Sequence, residues 1–369
     1  MNPNSFENYR QQLLSQAEIF NKIDLSKEEG YLAGFAFFSA NLANFLPSIP
    51  VSEHEALHKK MLLNTAMETF DRNITHIADF SIFEGQTQHI LPPHEPFIYC
   101  SFHLGSYRVF INHLVRTGHK LVLLVRQGVF DEQLQDLIDF KNKLNAIFEV
   151  ESEMLVVNAD EPTSALKILR SLRDGYSLVA YMDADSGSGE QKGEEISFLN
   201  HGIYARKGIS FLSYASNVPI VPVVAYRKPD LQNVICVGEP IYPDKNLSKA
   251  AFEKQTLQQL YNWFAEYVVQ TPEQWEVWGY INNFMLPPVV PPLVDDDTVF
   301  QKTTFQFNSQ RYALFELASG PALFDRFSYN VTEITPNLFL YLSQSTFSNP
   351  QIVLDASVFR DMVSSQMII

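Results

Sequence analysis

Cysteine is almost missing from this chain: Cys100 and Cys236 are the only two among 369 residues. Two thiols rule out a disulfide framework and every multi-cysteine zinc spacing, and they suit a reducing compartment. No metal site is expected. Glycine is sparse, at 15 residues, and no internal repeat or low-complexity tract occurs, which excludes fibrous and disordered classes. Positive charge is short as well: 27 Lys and Arg face 42 Asp and Glu, leaving −15. Long-range electrostatics therefore oppose anionic lipid surfaces and nucleic acids, so no nucleic-acid partner is expected. Long apolar runs are also lacking. The most apolar stretch, 31–50, is interrupted by Ser39, Asn41, Asn44 and Pro47, and falls short of the roughly 20 apolar residues a spanning helix needs. Residues 1–30 show no basic segment followed by an apolar one, so no export signal is read there. The expected location is the cytoplasm, with membrane contact at most peripheral.

What is present suits large cores. Hydrophobic residues make up 46% of the chain, and 29 of its residues are Phe. A prior of about 150 residues per domain gives two domains. Residues 5–85 read as helices from apolar spacing such as Leu62, Leu63, Ala66, Phe70 and Ile74. From Pro96 the pattern alternates: strands near 97–100, 120–125, 154–157, 177–182, 220–226 and 234–237, helices near 106–116, 131–144, 164–173, 205–216 and 247–269. That alternation predicts an α/β fold with a mainly parallel sheet covered by helices on both faces. Pro287 to Pro292 and Asp295 to Asp297 then read as a stiff linker, 287–297. The expected organisation is a domain over 1–286, helical over 1–90 with an α/β core over 91–286, and a small α+β domain over 298–369. The tail carries four basic and five acidic residues, so nearly all the acidity belongs to the larger domain.

Ligands of open α/β sheets bind beyond the carboxyl ends of the strands, so His103, just after the first core strand, stands where a general base would. The surrounding Phe102-His103-Leu104-Gly105-Ser106-Tyr107 resembles the His-x-Gly-x-aromatic element of the lauroyl/myristoyl lipid A acyltransferase family, in the lysophospholipid acyltransferase-like superfamily. Tyr181 to Gly187 is similar to that family's apolar strand with its Asp-x-Asp-x-Gly loop. Further on, Ile196 to Asn200, Lys207-Gly208, Asn217 to Pro222 and Pro272-Glu273-Gln274-Trp275 follow the family order over roughly residues 30–285. The resemblance implies a fatty acyl transfer from acyl-CoA or acyl carrier protein, as co-substrate rather than bound cofactor, to a hydroxyl or amine acceptor. It implies His103 as the base that deprotonates the acceptor. No Gly-x-Ser-x-Gly elbow occurs, which argues against a serine hydrolase.

The chain departs from the family at one position. The acid five residues after the histidine is replaced by Arg108, a permanent cation that disfavours an imidazolium nearby. Three readings stay open. Asp183 or Asp185 replaces the missing acid while Arg108 holds an anionic group; or the acceptor is an amine or another nucleophile that needs less help, so that His103 alone and an anion-holding Arg108 suffice; or the fold is kept without catalysis, as a binding or scaffold protein. Arg126, at a strand end on the same sheet edge, and Ser106 join Arg108 as candidate substrate-binding residues. Lastly, strands followed by helices over 298–369 are similar to the PqqD-like peptide-recognition domain, which implies a peptide partner and a role in secondary metabolism.

Overall fold

The computed structural model describes residues 6–28, 30–91, 95–183, 193–287, 300, 302–317, 319–350 and 354–369. The polypeptide divides into two compact units, one of residues 1–25 and 59–277, the other of 26–58 and 278–369. The chain starts with helices α1 (Phe6–Phe20), α2 (Tyr31–Phe45) and α3 (Val51–Asp71), and the division falls within α3. The expected 287–297 linker lies, from 288 onward, outside the described residues.

In the first unit β1 (Ile82–Gly85), β2 (Ile98–Ser101), α4 (Val109–Arg116), β3 (Lys120–Val125), α5 (Gln127–Phe148), β4 (Glu153–Asn158), α6 (Ser164–Arg173) and β5 (Ser177–Tyr181) come first. A hairpin, β6 (Glu194–Phe198) with β7 (His201–Ala205), leads to α7 (Gly208–Ser216), β8 (Ile220–Arg227), β9 (Asn233–Val237) and α8 (Lys249–Gln270). Seven strands form one sheet in the order β1-β9-β8-β2-β5-β3-β4. Strands β8, β2, β5, β3 and β4 run parallel, while β9 pairs antiparallel with β8 and parallel with β1. The mainly parallel, helix-flanked α/β fold is therefore present. The strand β1 is an addition to the helical reading of 5–85.

The buried apolar runs explain the central strands: all four residues of β2 are buried, and nearly all of β8. Tyr99, Leu121, Leu123, Val179 and Val221 meet Tyr9, Leu13, Phe110 and Leu144 from α1, α4 and α5 on one face. Helices α6, α7 and α8 pack together and against the sheet on the other side. Beyond β2, Gly105 has φ +54°, and a Cβ there would lie 2.9 Å from both the Ala225 carbonyl oxygen and the Tyr226 Cα. The glycine of the His-x-Gly element thus lets the loop after β2 lie directly on β8.

In the second unit, β10 (Thr304–Gln306) pairs with β14 (Thr346–Ser348), and β11 (Tyr312–Leu317), β12 (Gly320–Asp325) and β13 (Asn330–Glu333) form a meander. Helices Pro336–Leu342 and Ala356–Ser364 complete it, so β14 falls between the two helices instead of all strands preceding them. Between β12 and β13 the chain turns at Tyr329, φ 61°. Helix α2 belongs here: Ala36 and Ala40 pack with Ala313 and Phe324. Among the described residues no helix is long and apolar enough to cross a membrane.

Candidate active site

The register of two parallel strands brings the site together. Ser101 of β2 sits beside Tyr181 of β5, and the Met182 amide donates to the Ser101 carbonyl at 3.0 Å. Two residues further along each strand, His103 and Asp183 come out side by side. His103 Nδ1 lies 2.8 Å from Asp183 Oδ1, and the His103 backbone amide donates to Asp183 Oδ2 at 2.9 Å. Asp183 is 1% exposed, so its charge needs donors. A third comes from the indole of Trp275, whose Nε1 donates to Oδ2 at 2.7 Å.

Trp275 reaches this carboxylate because its segment is zipped to the histidine loop. Leu104 and Trp275 form an antiparallel bridge, the Gly105 amide donates to the Gln274 carbonyl at 2.9 Å, and the Glu276 amide donates to the His103 carbonyl at 3.2 Å. Fully buried, the indole packs edge-on against Phe198 and Phe264. Two further rings flank the imidazole: Tyr107 and Tyr181, each with its centroid 4.7 Å from that of His103. The Tyr107 hydroxyl donates to Glu276 Oε1 at 3.3 Å.

Burial pulls the His103 pKa down, but the charge and hydrogen bond of Asp183, aided by Glu276 and opposed by Arg108, leave it raised. Burial raises the pKa of Glu276 against the pull of His103. An imidazole bound through Nδ1 to a buried carboxylate presents Nε2 for proton transfer.

Arg108 donates to Glu68 Oε2 of α3 at 2.7 Å and lies over the Tyr107 ring, so its charge already has a counter-ion. Ser106 is buried: its Oγ donates to Asp71 Oδ2 at 2.6 Å and accepts from Arg227 Nη2 at 2.6 Å. Tyr9 and Asn233 complete that network. Arg126 is exposed at the end of β3, on the same sheet edge but one strand beyond β5. Asp185 lies outside the described residues. Sequence reasoning did not single out Glu68 and Glu276, and it quoted Trp275 without a role; adjacency to Trp275 was the one signal for Glu276. Among the described residues no group of three or more His, Cys, Asp or Glu is placed to hold a metal ion.

Residues 153–278, which include Asp183, Trp275 and Glu276 but not His103, match the model of a family described as bacterial lipid A biosynthesis acyltransferase. One similar solved structure is the 1-acyl-sn-glycerophosphate (LPA) acyltransferase PlsC from Thermotoga maritima, at 12% identity and a TM-score of 0.35, covering 72% of this chain and 98% of that one. No curated protein matches the sequence.

Proposed function

For a chain that is lipid A acyltransferase-like over residues 153–278, we propose acyl transfer from a thioester donor to a nucleophilic acceptor, with His103 as general base and Asp183 as its orienting carboxylate. The observation that carries this reading is the 2.8 Å contact between His103 Nδ1 and Asp183 Oδ1 at the carboxyl ends of adjacent parallel strands. Asp183 accepts the Nδ1 proton and leaves the Nε2 lone pair for the acceptor. As the acceptor attacks the thioester carbonyl, its proton passes to Nε2. The tetrahedral adduct then collapses, the C–S bond breaks, and the thiolate leaves with that proton. The donor is acyl-CoA or acyl carrier protein, and the reaction belongs to the cytoplasm.

The test is thiol release from lauroyl-CoA and palmitoyl-CoA in the presence of mixed acceptors. His103→Ala is expected to abolish it, and Asp183→Asn to lower it by about 10²–10⁴-fold. Release that is no faster than in the His103→Ala variant would end the catalytic reading. A second reading concerns the other unit, where β13 is an edge strand exposed along its whole length, suited to pairing with an extended peptide.

A further inference from the structure

The groups around His103 also bear on which acceptor it serves. Asp183 and Glu276 act on the charge of the histidine, against Arg108, and Glu68 acts on Arg108 and Glu276. Arg108 is paired with Glu68, and Asp183 is engaged by three donors, from the His103 amide, its ring and Trp275. With His103 neutral and the three carboxylates ionised, the balance of these groups is negative. A phosphate-bearing acceptor would have to approach carboxylates with no uncompensated cation among these groups to receive it.

Unfilled hydrogen bonds point the same way. Glu68 is 3% exposed, and its Oε1 has no partner among the described residues. The buried Tyr181 hydroxyl, on the ring that flanks His103, also lacks one. Among the described residues, the carboxylate of the half-buried Glu276 holds only the long 3.3 Å bond from Tyr107. Two of these three groups are carboxylates, which accept and never donate when ionised. They call for a ligand rich in N–H donors, and a phosphate has none to offer. An unpaired buried carboxylate oxygen costs free energy that such a ligand would recover.

We propose that the acceptor is a primary amine, received as its ammonium by Glu276 with Glu68 behind it; this rests on the acyl-transfer reading above. The ammonium gives one proton to solvent, and the amine nitrogen attacks the thioester carbonyl. His103 takes the second proton from nitrogen and returns it to sulfur. A C–N bond forms and a C–S bond breaks, so an acyl thioester and an ammonium become an amide, a thiol and one released proton.

The experiment offers the full chain lauroyl-CoA with dodecylamine, dodecanol or a lysophosphatidate, and measures amide, ester and phosphatidate by mass spectrometry above a His103→Ala background. Amide is expected to exceed both esters by roughly tenfold, the value of one charge-assisted hydrogen bond. Glu276→Gln is expected to cut the amide-to-ester ratio by about the same factor. Equal or greater ester or phosphatidate in the wild-type chain overturns the amine assignment without reference to any variant, and so does an unchanged ratio in Glu276→Gln. Thiol release above background with no amide leaves acyl transfer standing and removes the amine. Thiol release at background removes both.

Discussion

In the proposed acyl transfer His103 must be neutral before it accepts a proton, so its pKa would set the lower pH limit of that reaction. The Asp183 carboxylate, with help from Glu276, holds that of His103 above the usual imidazole value, although burial opposes it. Activity should therefore fall as pH drops through a midpoint above about 6.5. Asp183→Asn removes the charge that raises the pKa, so burial and Arg108 then dominate and the midpoint should move to lower pH as kcat falls. A pH–rate profile of both proteins checks this; a loss of rate with an unmoved midpoint would mean that Asp183 is only structural. At this scale the sequence was informative where chemistry and register coincide. His103 and Asp183 each follow an apolar strand, and parallel pairing does the rest. Glu68 and Glu276 were not legible, because they come from a helix and a short 3-10 turn distant in sequence and carry no motif of their own. Ser106 reads in the sequence as a substrate-binding candidate, yet after the turn at Gly105 its hydroxyl meets Asp71 and Arg227.

That inward network is what joins the elements behind the site. Arg227 at the end of β8 reaches Asp71 at the end of α3 at 3.0 Å and the Tyr9 hydroxyl of α1 at 2.9 Å, and Asn233 of β9 donates to the same two groups. Arg227 and Asp71 are both at least 95% buried. Removing one charge leaves the other desolvated and uncompensated, so Asp71→Asn should destabilise the first unit by about 3–5 kcal/mol. Chemical denaturation reads this directly, and a cost below about 1 kcal/mol would show that solvent reaches the pair. The core elements themselves were readable from periodicity, often to within a residue or two at the ends, because each strand of the parallel sheet is a short apolar run between polar turns. Ile82–Gly85 was hidden, since four residues at a sheet edge, following a long helical pattern, give no period to count. The turn between β12 and β13 was hidden for another reason: Arg326 to Tyr329 contain neither Gly nor Pro, and Tyr329 itself takes the left-handed conformation.

For the whole molecule, the informative fact is that each unit draws on two separate stretches of chain. Composition points to a cut in the proline-rich run after 286, but residues 26–58 cluster with 278–369. The reason is visible in the chemistry of α2, whose small residues Ala36 and Ala40 face Ala313 and Phe324 and whose polar residues meet the turn after β12. Arg326, 5% exposed and with its pKa pulled down to about 10 by burial, donates through Nε to Ser39 Oγ at 2.8 Å. Asn44 donates to the Arg326 carbonyl at 2.8 Å, and the Tyr329 hydroxyl donates to Asn41 Oδ1 at 2.6 Å. A fragment of residues 278–369 keeps the core of Phe305, Leu342, Phe347 and Phe359 but loses these partners. It should fold weakly alone and be stabilised by a peptide of residues 26–58. At a hundredfold excess over its dissociation constant the peptide contributes about 2.7 kcal/mol, which raises the melting temperature by roughly 10–20 °C for a unit of this size. A peptide carrying Ser39→Ala and Asn44→Ala should give a smaller rise, because the buried Arg326 guanidinium would then lose an acceptor and the Arg326 carbonyl a donor. A fragment that melts at one temperature whether or not the peptide is present would show that α2 is not part of this unit's fold.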